Sequence, residues 1–84
     1  MKHQPIVYCR WYDAVSAEPG WVPREDLNTE LAICHTAGFV AHEDADKITI
    51  ISSYNDGEDV SQSTTIPKPW IIELKRLKKN GNYE

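Results

Sequence analysis

The residues with the most reactive side chains are two cysteines, Cys9 and Cys34, and the histidines His35 and His42 that follow the second of them. A cysteine nucleophile needs a base within hydrogen-bond reach and a third group that orients the base. Cys34 and His35 are chain neighbours in a strand-like stretch, and neighbours on a strand project to opposite faces, so their side chains point apart. Zinc fares no better, because Cys9, Cys34, His35 and His42 lack the close paired spacing of structural sites. The histidines read as structural. The cysteines read as free thiols inside apolar strands, which suits a reducing compartment.

Two acidic groups, Glu43-Asp44-Ala45-Asp46 and Asp56-Gly57-Glu58-Asp59, have the hard oxygen ligands a divalent cation takes. Neither has the order of ligands, glycine and closing glutamate of a calcium-binding loop, so both read as solvated hairpin loops. Glycines 20, 38, 57 and 81 stand alone and form neither a phosphate-binding loop nor a dinucleotide fingerprint. The expectation is a non-enzyme without catalytic residues, metal or cofactor.

Contact chemistry remains. Three tryptophans and four tyrosines in 84 residues supply large, rigid contact area, and aromatic residues with arginine are the usual anchors of interfaces. Trp11 and Trp70 read as core. Trp21, after Pro19-Gly20 in a loop, does not, and with Arg10, Tyr12, Arg24 and Tyr54 it makes up the candidate binding set. The basic run Lys75-Arg76-Leu77-Lys78-Lys79 has the charge to hold RNA but reads as a solvated end.

These residues must be positioned by a single small domain spanning 1–84, with 1–5 and 78–84 frayed at its ends. Period-two alternation of aromatic and β-branched residues marks a first strand over Ile6 to Val15, which Glu18-Pro19-Gly20 breaks. Pro23 in a first helical turn, Glu25 and Asp26 at its positive end, and Leu27 and Leu31 four apart predict a short helix of one to two turns. Alternation resumes from Leu31 to His42. Leu31, Ile33, His35, Ala37 and Phe39 share one face, with Ala32, Cys34, Thr36, Gly38, Val40 and His42 on the other. Gly38 suggests a bulge or a bend. Lys47 to Ser53 forms the antiparallel partner, Asn55-Asp56-Gly57 a turn, and Val60 to Ile66 a polar strand with an open edge. The last segment fits a helix from Pro69 or a strand with Trp70, Ile72 and Leu74 inward and Ile71, Glu73 and Lys75 outward.

Charge is unevenly spread. The total is −4, yet Asp13 to Asp59 holds eleven acids against Arg24 and Lys47, a net −9, between ends of +2 and +3. A central acidic belt repels phosphate, which argues against duplex DNA as a partner. No apolar run approaches the ~20 residues that span a bilayer. Arg10 and Asp13 interrupt what would be a signal-peptide core, so no membrane contact and a cytoplasmic location are expected.

Ile66-Pro67-Lys68-Pro69-Trp70-Ile71-Ile72-Glu73-Leu74 resembles the end of SH3 domains, where an isoleucine-proline pair leads through a 3₁₀ turn and an aromatic residue into the final strand. The resemblance implies strand rather than helix there, and a mainly β fold: a small SH3-like or Sm-like antiparallel barrel of about five strands with one short helix after the first. The stretch from Ile6 to Leu77 is also similar to short single-domain bacteriophage and prophage proteins in Trp11, Asp13-Ala14, Gly20-Trp21, Gly38-Phe39-Val40, Glu43-Asp44 and the isoleucine-proline-tryptophan close. That likeness implies a viral accessory protein in a bacterial host. The expected function is a binding module that engages a host protein as a small homo-oligomer. The alternatives are sequestration of a nucleotide signal, with arginine and aromatic side chains from adjoining subunits, and Sm-like RNA binding.

Overall fold

Alternating apolar residues in the first strand set the architecture. In β1 (Ile6–Asp13), Val7, Cys9 and Trp11 are buried, whereas Tyr12 is exposed. A computed structural model describes residues 4–16 and 20–78 of the chain. The Glu18-Pro19 break and the expected fraying over 1–3 and 79–84 lie outside the described residues. β1 pairs antiparallel with β2 (Ala32–Glu43), with Ile6 opposite Phe39 and Asp13 opposite Ala32. A tight turn then leads to β3 (Lys47–Ile51), which pairs antiparallel with β2.

Two short strands, β4 (Ser53–Tyr54) and β5 (Val60–Ser61), form a separate hairpin. Its turn is built on Asn55-Asp56-Gly57, as the sequence indicates, with the Glu58 N–H donating to the Asn55 carbonyl at 3.0 Å. β6 (Thr64–Pro67) returns beside β3, a 3₁₀ turn covers Lys68–Trp70, and β7 (Ile71–Arg76) runs antiparallel to β1. The main sheet therefore has the order β6-β3-β2-β1-β7. The last segment is a strand entered through a 3₁₀ turn, as expected from its likeness to SH3 ends.

The core lies on one face of this sheet. Val7, Cys9, Trp11, Val40, Ile48, Ile50 and Ile66 are buried together, with Cys34, Ile71 and Leu74 packed against them. The Trp11 indole N–H donates to the Thr36 hydroxyl at 3.0 Å, so the polar atom carried inward with this ring has a partner. Both cysteines are free thiols. Cys9 is buried, and burial pushes its thiol pKa up, while Cys34 is only half-buried.

Several expectations need correcting. The helix after the first strand is only a single 3₁₀ turn, Arg24–Asp26, flanked by extended Pro23 and Leu27. Leu27 and Leu31 are both exposed and have no surface to pack against, and a nucleus this short does not hold an α-helix without one. Among the described residues no ladder joins β6 to β7, so the five strands form an open sheet rather than a closed barrel. The first strand stops at Asp13, whose side chain accepts a 2.8 Å hydrogen bond from the Ala14 N–H.

The stretch from Val60 to Ile66 is two strands, because Gln62 adopts φ 52° and turns the chain between them. The irregularity expected at Gly38 falls instead between Val40 and His42, where Ala41 is the additional residue; His42 is thereby rotated away from the Val40 face into solvent. Gly38 has a different role. A Cβ there would come within 2.3 Å of the Ile51 carbonyl oxygen, so glycine is what lets β2 and β3 approach. A second bulge, at Ile72 between the Arg10–Glu73 and Trp11–Ile71 pairs, puts Ile71 and Leu74 on the core in place of the expected Trp70, Ile72 and Leu74. Trp70 lies in the 3₁₀ turn ahead of this strand and is surface rather than core, at 43% exposed.

Candidate functional site

Directly paired residues of an antiparallel ladder share a face, so the register shows what the sheet presents to solvent. On the face opposite the core, Tyr12 lies beside Ile33, Arg10 between His35 and Glu73, and Tyr8 between Ala37 and Lys75. Tyr8 and His35 stack with ring centroids 5.9 Å apart, and the Tyr8 hydroxyl is 2.8 Å from His35 Nδ1. Cys34 and His35 point to opposite faces, as strand geometry requires, one toward the core and the other exposed.

Arg10 is incompletely satisfied. Its Nε is shielded from solvent but makes no hydrogen bond to the described residues, and the Glu73 carboxylate stands 4.0 Å away. A shielded donor without an acceptor forgoes the charge-assisted bond that guanidinium groups form best.

The chain leaves β1 at one end of this face and returns to it at Ala32. Between them, residues 20–31 form an arm in which every residue is exposed. Trp21 is 103% exposed, and Val22, Leu27 and Leu31 are all more than half exposed. The arm's own backbone bonds are those of the 3₁₀ turn, Asp26 N–H to the Pro23 carbonyl and Leu27 N–H to that of Arg24. A packed chain of this length has a radius of gyration of about 12 Å. The observed 16.4 Å, with extents of 52 × 29 × 22 Å, fits an arm that does not fold back.

The five candidate binding residues thus fall into three places. Arg10 and Tyr12 share the outward face of β1, and Trp21 and Arg24 lie on the arm that begins beyond it. Tyr54 stands apart on the β4–β5 hairpin, edge-on to Phe39 with ring centroids 5.0 Å apart. Phe39 pairs with Ile6, six residues along β1 from Tyr12, a separation of about 20 Å. Tyr54 also lines a shallow cavity of about 180 Å³ with Ser53, Asn55, Asp59, Val60 and Ser61. Sequence reasoning passed over Tyr8, Ile33 and Leu31. The alternation of Leu31, Ile33, His35 and Ala37 already put the β2 members on one face, but nothing local showed that this face would stay uncovered.

Two ionic groups fix the opposite end of the sheet. Glu43 Oε2 accepts a 2.7 Å bond from Arg76 Nη2 and lies 2.9 Å from Lys68 Nζ. Glu43 pairs with Ile48 and Arg76 with Val7, both core residues, so this cluster sits on the core side, where β2 and β7 converge beyond the start of β1. The two cations hold the Glu43 carboxyl at about 2, the Arg76 hydrogen bond contributing most. Asp44 binds Lys47 and His42, each at 2.8 Å, and caps the β2–β3 turn through the N–H groups of Asp46 and Lys47. Lys47, then His42, hold the Asp44 carboxyl well below the usual range. Among the described residues no three His, Cys, Asp or Glu side chains gather where they could hold a metal ion. No helix in the described residues is long and apolar enough to cross a membrane. No protein-family model, curated protein or solved structure matches this chain.

Proposed function

We propose that this chain is a non-enzymatic binding module, an open-sheet relative of the SH3-like or Sm-like arrangement, that self-associates and engages a protein partner through its outward face and arm. The strand order β6-β3-β2-β1-β7, with a 3₁₀ turn leading into the final strand, supports the architecture. One observation carries the function: among the described residues, the chain exposes nine large apolar side chains and buries eight hydrophobic ones. Isolated surface hydrophobes need no explanation, but a run of them along one arm and the adjoining sheet face marks an interaction surface. The likeness to short phage proteins supports a partner from a bacterial host.

The stacked Tyr8–His35 pair beside Arg10 and Lys75 favours a second reading, sequestration of a nucleotide. Stacking would hold the base and the cations the phosphate.

Tagged protein recovered from a bacterial lysate separates the two readings. A protein-binding module retains a host protein in equimolar amount, and a Tyr12→Ser, Trp21→Ser double variant loses it. Release of a nucleotide on heat denaturation, with no protein retained, would overturn the first reading in favour of the second.

A further inference from the structure

The surfaces by which two copies can meet are not equally suited. The β6 edge is four residues long and ends in Pro67, which has no N–H to donate. The β7 edge carries Glu73, Lys75 and Arg76 in six residues. Short length, proline and charge are the features that discourage strand addition at an edge. The arm and the adjoining end of the outward face have the opposite character. Trp21 is fully exposed, and Tyr12, Val22, Leu27, Leu31 and Ile33 are between 43% and 57% exposed. Together these six side chains present on the order of 700 Å² of mainly apolar surface, near the ~800 Å² that each partner buries in a stable interface.

Charge matches arm to face. The arm carries Glu25, Asp26 and Glu30 against Arg24 alone, whereas the outward face carries Arg10 and Lys75 against Glu73. Arg10 and Lys75 share the single carboxylate of Glu73, at 4.0 and 3.9 Å, and their side chains are 40% and 43% exposed, so positive charge on this face stays open to a partner. Covering the arm also supplies what a small core lacks, since eight buried hydrophobic residues leave little net stability in a single copy.

We propose that the arm over residues 20–31 docks on the outward face of β1, β2 and β7 of a second copy of this chain, and that the exchange is reciprocal. The acidic turn faces Arg10 and Lys75 of the second copy, and the apolar side chains cover Tyr12 and Ile33 there. Reciprocity makes the contact two-fold and closed, giving a dimer rather than a filament. This inference rests on reading the chain as a self-associating binding module and names the surface through which copies meet.

Light scattering on the full chain over a dilution series down from ~100 μM, with far-UV circular dichroism as the check on folding, tests it. The wild type is expected at twice 9.6 kDa. Trp21→Ser alters a residue with no monomer packing, so it folds, and it is expected to weaken the dimer at least about tenfold. Arg10→Glu and the double variant Glu25→Lys, Asp26→Lys are each expected to be monomeric, and mixing them restores a dimer because each then presents the opposite charge to the other. A wild-type monomer at ~100 μM overturns the inference, and so does a wild-type assembly that none of these variants weakens. Retention of a host protein by such a monomer, or by an assembly indifferent to the arm, would leave the binding-module reading standing while this inference fails.

Discussion

Replacing Glu43 with glutamine tests whether an ionic cluster, rather than the shape of the side chain, ties the two ends of the sheet together. Glu43 bridges Arg76 on β7 and Lys68 in the 3₁₀ turn, two segments that share no ladder with β2. Its carboxyl is held at about 2, against an ordinary 4.5. A depressed folded pKa contributes stability that is complete above the unfolded value and is lost as pH falls from about 4.5 toward 2. At 1.36 kcal/mol per pKa unit that gap has a ceiling of ~3 kcal/mol. The Arg76 and Lys68 side chains are 38% and 33% exposed, so solvent screening brings the expected contribution to about 1–2 kcal/mol.

Glu43→Gln should therefore lose about 1–2 kcal/mol near pH 7, or roughly 4–15 °C in Tm for a domain of this size. Urea unfolding of both proteins at matched concentration, followed by tryptophan fluorescence at several pH values, checks this. The two unfolding curves should converge as pH falls toward about 2. An equal deficit at neutral and low pH would refute the ionic origin, and no deficit at all would refute the clamp.

Three further outcomes follow from individual contacts. Gly38→Ala forces a Cβ to within 2.3 Å of the Ile51 carbonyl, so a loss of about 2–3 kcal/mol in urea unfolding is expected, and a neutral result would mean that β2 and β3 are not held so closely. Thr36→Val leaves the Trp11 indole N–H without its 3.0 Å acceptor in the core, which should cost about 1–3 kcal/mol and change the near-UV circular dichroism of that ring. Gln62→Gly relieves a left-handed residue at φ 52° and should raise stability by about 0.5–1 kcal/mol, measured as an increase in Tm.

Much of the fold was legible in local pattern. Alternation over Ile6–Asp13 and from Ala32 onward, the turn at Asn55-Asp56-Gly57 and the Ile66-Pro67 entry to the last strand all form as the residues suggest. Alternation assigns faces only while the ladder stays in step. The extra residues at Ala41 and Ile72 each shift the register by one, and those shifts moved His42 into solvent and put Ile71 rather than Ile72 on the core. Nothing in the local sequence marks either bulge, since neither Ala41 nor Ile72 is a glycine, proline or turn residue.

The segment around Leu27 and Leu31 failed for a different reason. Its spacing suits a helix, but a helix needs a surface for its apolar side, and this chain provides none there. Of the candidate site, the pairing of Arg10 with Tyr12 and the exposure of Trp21 were readable from strand period and loop position. The distance of Tyr54 from them was not, since it depends on where the β4–β5 hairpin lies.

Hydrogen exchange over residues 20–31 of the full chain measures most directly whether the exposed arm is covered by a second copy. At ~100 μM these backbone amides should exchange markedly more slowly than at ~0.5 μM, while the β1–β3 amides stay protected at both concentrations. Equally fast exchange of the arm at the two concentrations would show that it stays free in solution and would contradict its role as the contact between copies.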